Sequence, residues 1–201
     1  MLGVGLRAKH FPHFLKKRAK LDFFEILSEN YIDTEGRPLS VVERLRRDYP
    51  MCMHGVSLSI GSLNGVRADY LKKLKNLADK IEPFLISDHF CFTGLKNFNS
   101  HDLLPLPFTQ KMVSVLVKNI DYVQNFLKTT IALENASSYL SWRQSEMPEW
   151  EFINEVVRRS GCKILLDVNN VYVNAVNHRF SADVFLNAIN PTDVAEIHIA
   201  G

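Results

Sequence analysis

The sequence predicts an α/β fold with a parallel sheet under helical cover, and it favours a (β/α)8 barrel over a doubly wound open sheet. Three observations carry that reading. Seven short β-rich runs alternate with helical stretches along all 201 residues, the signature of repeated βαβ units. Six of those runs end in a polar side chain at or near the C-terminal tip: Arg7, His54, His89, Glu134, Asp167 and His198. In a barrel such tips converge on one mouth, whereas outer strands of an open sheet lie too far apart for their residues to cooperate. Finally, 46% hydrophobic residues over this length suit one sizeable core.

The strand candidates run in order as GVGLR (3–7), DFFEI (22–26), MCMHG (51–55), FLISDH (84–89), TIALEN (130–135), KILLDV (163–168) and VAEIHIAG (194–201). Between them, apolar residues recur at helical spacing. Leu71, Leu74, Leu77, Ala78 and Ile81 form one stripe, and Val113, Leu116, Val117, Ile120 and Leu127 a second. Ile153, Val156 and Val157 form a third, with Pro148 near its start and Arg158, Arg159 and Gly161 at its end, as capping preferences require. The run from Val194 counts as strand seven of eight. A single barrel domain, 1–201, is therefore expected, lacking its last helix and strand. Strands one and seven are then expected to be edges that invite a homo-oligomer.

Composition excludes several function classes. A formal charge of +2, with basic runs limited to Lys16–Lys17–Arg18 and Lys72–Lys73–Lys75, argues against a nucleic-acid partner. No apolar run approaches the roughly 18 residues of a membrane span. Cys52, Cys91 and Cys162 lack metal-type spacing and read as buried free thiols of a cytoplasmic protein.

The strand tips carry the chemistry. His54, His89, Glu134, Asp167 and His198 offer nitrogen and oxygen donors from five strands, a set suited to iron, manganese or zinc and without the thiolates of a structural zinc site. Each alone reads blandly, and an Asp before VNN is often a turn or helix cap. Five together point to a polynuclear metal site, because carboxylates can bridge cations held about 3.5–4 Å apart. Asn170 is either a weak, neutral ligand or a residue that shapes the turn. His178 is expected on a loop at the same mouth, in substrate contact or in a structural role. Glu196, two before His198 on one face, is a candidate for orienting an imidazole from behind. His10, His13 and His101 are expected in loops, in surface or packing roles ahead of contact with substrate.

The motifs FFEILSENY (23–31), HGVSLSIGS (54–62), SDHFCF (87–92), DLLPLPFT (102–109), ALENASSYL (132–140), EWEF (149–152), LLDVNNVYVNAVNH (165–178) and EIHIAG (196–201) resemble the multinuclear non-heme iron-dependent oxidative enzymes, the family that includes the methanobactin-biosynthesis oxidase. The resemblance spans essentially the whole chain. It implies a TIM-like barrel of the xylose-isomerase type that holds two or three iron ions and uses O2 to modify residues, commonly cysteine, of ribosomally made precursor peptides. It also implies a partner protein that binds the peptide leader. Carried over by position, the ligands are His54, His89, Glu134, Asp167 and His198, with Asn170 and His178 as further candidates. The family's remaining ligands, an Asp and a His after strand seven and a Glu on strand eight, fall beyond residue 201. Two alternatives stand beside this expectation: an endonuclease IV-like metal phosphodiesterase, and an inactive truncated barrel.

Overall fold

The computed structural model describes residues 1–95 and 98–199. The chain divides into two compact units, one of residues 1–57 with 67–87 and the other of residues 58–66 with 88–201.

The first unit contains β1 (Gly3–Gly5), β2 (Phe23–Leu27), β3 (Met51–His54) and the first three residues of β4 (Leu85–His89). These strands are parallel, in the order β1-β2-β3-β4, and the register sets His54 opposite Leu27 on one side and Ser87 on the other. Helices α1 (Phe11–Lys16), α2 (Arg37–Arg46) and α3 (Ala68–Ile81) connect them. The predicted stripe Leu71, Leu74, Leu77, Ala78 and Ile81 is the buried face of α3. That helix stops at Glu82, whose left-handed backbone (φ 48°) sends its N–H to Ala78 O. The Arg46 guanidinium closes the same end, donating to Ile81 O at 2.7 Å and pairing with Glu82.

The second unit holds the end of β4, a hairpin of β5 (Phe92–Leu95) and β6 (Phe98–Leu104), then α4 (Gln110–Leu127), β7 (Ala132–Glu134), α5 (Glu149–Ser160) and β8 (Lys163–Asp167). It ends with α6 (Val168–His178), α7 (Ala182–Ala188) and β9 (Val194–His198). Its strand order is β4-β7-β8-β9, with β7, β8 and β9 parallel. Thr109 caps α4 through its hydroxyl oxygen, which accepts from Met112 N–H at 3.1 Å. Gly161 ends α5 at φ 67°, a conformation that glycine adopts without strain.

All seven predicted strands form; of the last, Ala200 and Gly201 lie outside the described residues. Three expectations are corrected. The region around His101, read as a loop, is the β5–β6 hairpin, whose two strands satisfy each other's backbone and so need no long apolar run to announce them. His10 and His13 lie in a 3-10 turn (Ala8–His10) and in α1, where Pro12 stands at the helix start. His178 is the last residue of α6, which starts directly from β8 without a loop. Among the described residues no helix is long and apolar enough to cross a membrane.

One close approach makes a stability prediction. A Cβ at Gly61 would stand 2.3 Å from Leu106 Cδ2 and 3.0 Å from Cys91 O. Leu106 is itself buried and cannot swing clear. Gly61→Ala is expected to destabilise the fold by about 1–3 kcal/mol, the usual range for overpacking, read as a lowered denaturant midpoint with unchanged slope.

Candidate metal centre

Glu134, at the tip of β7, is the hub of a polar cluster in the second unit. It is buried, at 3% exposure. Its Oε2 lies 3.1 Å from His89 Nε2 and 3.8 Å from His198 Nδ1. Its Oε1 accepts from Asn170 Nδ2 at 3.2 Å. The β8–β9 register places Asp167 opposite His198, so two further strand tips meet beside it. One ligand atom from each of Glu134, Asp167 and His198 lies within 4.8 Å of the others, a spacing that a single cation can bridge.

The local sequence explains why these groups stay in place. Asp167 is also the N-cap of α6: its Oδ1 accepts from Asn170 N–H at 2.7 Å. The helix-cap reading of that aspartate and its place in the cluster are thus compatible, since a carboxylate has two oxygens and several lone pairs to offer. Asn135, fully buried, clamps the Asp167 backbone in both directions, donating to Asp167 O at 3.0 Å and accepting from Asp167 N–H at 2.9 Å. Asn170 donates to Asn135 O at 3.0 Å as well as to Glu134. These two donations from Nδ2 hold the turn and the Glu134 carboxylate in place, and they do not involve Oδ1, the ligand atom of an amide. Asp88, buried behind His89, accepts from Leu58 N–H at 3.0 Å and stands 3.8 Å from His89 Nδ1. Asp88 and Asn135 were invisible to sequence reasoning, because strand alternation turns a residue next to a tip away from its neighbour's face. The adjacency of each to a tip residue, in SDH and LEN, was the only available signal.

The electrostatics fit a cation. Burial alone would lower the pKa of His89, but hydrogen bonds to Asp88 and Glu134, with their charges, raise it to about 10. Burial raises Asp167, helped by the nearby Glu134 charge, against the Asn170 N–H and His198, which lower it. Carboxylates gathered in a desolvated place need a positive partner, and without metal the imidazolium of His89 supplies it. The donor set of two carboxylates and imidazoles is the hard-to-borderline mixture that iron, manganese or zinc accepts.

His54, in the first unit, is buried at the tip of β3 with Nδ1 2.9 Å from Ser87 Oγ. Just after it, Val56 N–H donates to Glu29 Oε1 at 2.9 Å, and Tyr70 OH donates to the same oxygen at 2.7 Å, so Glu29 anchors the loop that leaves β3. Glu196 shares one face of β9 with His198 and is half-buried. His178 joins no group of potential ligands among the described residues; its Nε2 is 2.8 Å from Ser138 Oγ, which ties α6 to the loop after β7.

The family of RiPP precursor modification enzymes described as MbnB/TglH/ChrH matches residues 1–201. The chain belongs to this family. It is 46% identical over 200 residues to a UPF0276 protein of Caulobacter vibrioides, covering 99% of this chain and 71% of that one. Among solved structures, 3-keto-D-glucoside 4-epimerase from E. coli has a TM-score of 0.64 at 13% identity, over 99% of this chain and 78% of the epimerase. Endonuclease IV from Thermus thermophilus has a TM-score of 0.55 at 12% identity, over 98% of this chain and 74% of the nuclease. These likenesses give the fold as the xylose isomerase-like TIM barrel. The RiPP modification family acts on precursor peptides, and the polar cluster at the strand tips is the candidate place for that chemistry.

Proposed function

We propose that the protein is a multinuclear iron enzyme that oxidatively modifies a residue, most simply cysteine, of a ribosomally made precursor peptide. The observation that carries this reading is the Glu134 hub, with His89, Asp167 and His198 gathered around one buried carboxylate in a family defined by peptide modification. His54, at its own strand tip, is proposed as a further ligand, and Glu196 as the carboxylate behind one of the imidazoles. A partner protein presenting the peptide leader belongs to the same proposal.

Iron, when bound, would supply O2 activation and a Lewis-acidic seat for a substrate thiolate. The chain's own residues do the rest. Glu134 and Asp167 hold negative charge where cations are required. Asp88 and Asn135 fix the orientation of His89 and of the Asp167 backbone, so that the donors are arranged before any metal arrives. His89 must release the proton it shares with Glu134 before its Nε2 can serve as a ligand.

The test is anaerobic Fe(II) loading followed by elemental analysis, then O2 uptake and mass spectrometry of a cysteine-containing precursor peptide. Iron that binds and a peptide that loses or gains mass support the proposal. The endonuclease IV likeness supplies the rival outcome: zinc retained in preference to iron, with cleavage of a duplex carrying an abasic site. Neither activity would leave a binding protein.

Asn170 offers a finer probe. Asn170→His exchanges a neutral amide for an imidazole beside Glu134, and should raise affinity for Zn(II) relative to Fe(II) by about 10-fold. Competition titration with a chromophoric chelator reads that ratio. An unaltered ratio would place Asn170 away from the metal.

A further inference from the structure

We propose that Ser87 is a positioning residue that fixes the tautomer of His54, keeping the ring proton on Nδ1 so that Nε2 carries the lone pair offered to a metal ion. The inference rests on the reading of His54 as a ligand given above. It begins from register. β3 and β4 run parallel with His54 directly opposite Ser87. Both residues are buried, at 9% and 3% exposure, and Ser87 Oγ lies 2.9 Å from His54 Nδ1.

A serine hydroxyl has one proton to give and two lone pairs to accept with. Met53 O stands 3.5 Å from Ser87 Oγ, in the direction that takes this proton. With the hydroxyl proton directed to Met53 O, the oxygen presents a lone pair to the imidazole and Nδ1 is the donor, which is the arrangement proposed. A neutral imidazole that donates from one nitrogen is an acceptor at the other. Metal-bound histidines are usually fixed this way by a carboxylate or carbonyl. Here a neutral hydroxyl does it, without adding negative charge next to the ring.

The backbone around the ring is held as tightly. Gly55 N–H donates to Ser87 O at 2.8 Å, so Ser87 grips both the side chain of His54 and the peptide that follows it. The next N–H, of Val56, goes to Glu29. The position of the ring and the exit of the strand are therefore set without a metal, and the proposed tautomer follows from the Ser87 contact. Removing the hydroxyl takes the Ser87 oxygen away from Nδ1 and weakens the preference for the Nδ1–H form, so that part of the population presents the wrong face.

The experiment reads the tautomer directly. Long-range 1H–15N spectra of the metal-free protein, at a pH where the ring is neutral, should show His54 protonated at Nδ1. The Ser87→Ala variant should show a mixture or the Nε2–H form, and Ser87→Thr, which restores a hydroxyl, should return the first pattern. Co(II) titration against a competing chelator should find Ser87→Ala weaker by about 10–100-fold, with Ser87→Thr close to the parent and thermal unfolding similar in all three. An Nε2–H tautomer in the parent protein, or a Ser87→Ala ring still protonated at Nδ1, overturns the proposal. If Ser87→Ala does not fold, the parent and Ser87→Thr spectra decide alone. His54→Ala separates the two readings: unchanged Co(II) affinity there removes His54 from the ligand set, while the metal-free spectra still report on Ser87.

Discussion

Glu134→Gln is expected to lower iron affinity by about 100-fold or more while leaving the protein folded. Loss of an outer partner alone weakens metal binding by about 10–100-fold, and Glu134 supplies charge at the centre of the cluster itself. Its two oxygens face His89 at 3.1 Å, His198 at 3.8 Å and Asn170 at 3.2 Å. Glutamine keeps the volume and an acceptor for Asn170, so packing around the buried tip of β7 survives. What disappears is the charge. A second, metal-free readout follows from the same geometry. His89 is raised to about 10 against its own burial by hydrogen bonds to Asp88 and Glu134, and without the Glu134 charge burial weighs more heavily. The pKa of His89 in the metal-free variant should therefore fall, which a histidine NMR titration measures. Iron content equal to the parent's after anaerobic loading would remove Glu134 from the centre. An unmoved His89 pKa would show that Asp88 alone holds the proton.

The barrel was readable because its strands and helices obey simple periods. The stripe from Leu71 to Ile81 repeats at helical spacing and is buried as a face; in KILLD the buried apolar run Ile164, Leu165 and Leu166 ends in a charge and forms the body of β8. The same rule made the strand tips legible, since a carboxylate or imidazole closing an apolar run has little reason to be there for packing. The hidden parts depend on register rather than period. That Ser87 faces His54, or that Asn135 brackets the Asp167 backbone, follows from which residues of neighbouring strands stand side by side, and one sequence does not encode that locally. His178 misled for a related reason: Asp167 caps α6 at once, so residues expected in a loop are helical and His178 is carried round to Ser138. The β5–β6 hairpin escaped because, among the described residues, its strands form a sheet of two and need no apolar face to mark them.

Glu149→Gln is expected to stabilise the protein above neutral pH and to flatten its pH dependence. Glu149 opens α5, where the helix N-terminus ordinarily favours a negative charge. Yet burial pushes its carboxyl up to about 7, against the Asn174 hydrogen bond that lowers it. Asn174 is buried and already committed: its Nδ2 donates to Glu149 Oε2 at 3.1 Å and to Ala136 O at 3.0 Å, while its Oδ1 accepts from Ser138 N–H at 2.8 Å. One shared donor does not replace the water that the carboxylate loses. Because the folded pKa lies above the ordinary 4.5 of an unfolded glutamate, the native state binds more protons between those two values. Stability from this group is thus full below about pH 4.5 and is lost as pH rises through about 7. The complete displacement would correspond to about 3 kcal/mol, and the part of Glu149 that keeps contact with water trims the effect to about 2 kcal/mol. Glutamine retains an acceptor for Asn174 and carries no charge to bury. Urea denaturation at pH 5 and pH 8 should therefore show the parent losing stability between the two conditions relative to Glu149→Gln, with the variant the more stable at pH 8. Parallel behaviour of the two proteins across that interval would mean that the ionised carboxylate finds in the folded state all the solvation it has in water.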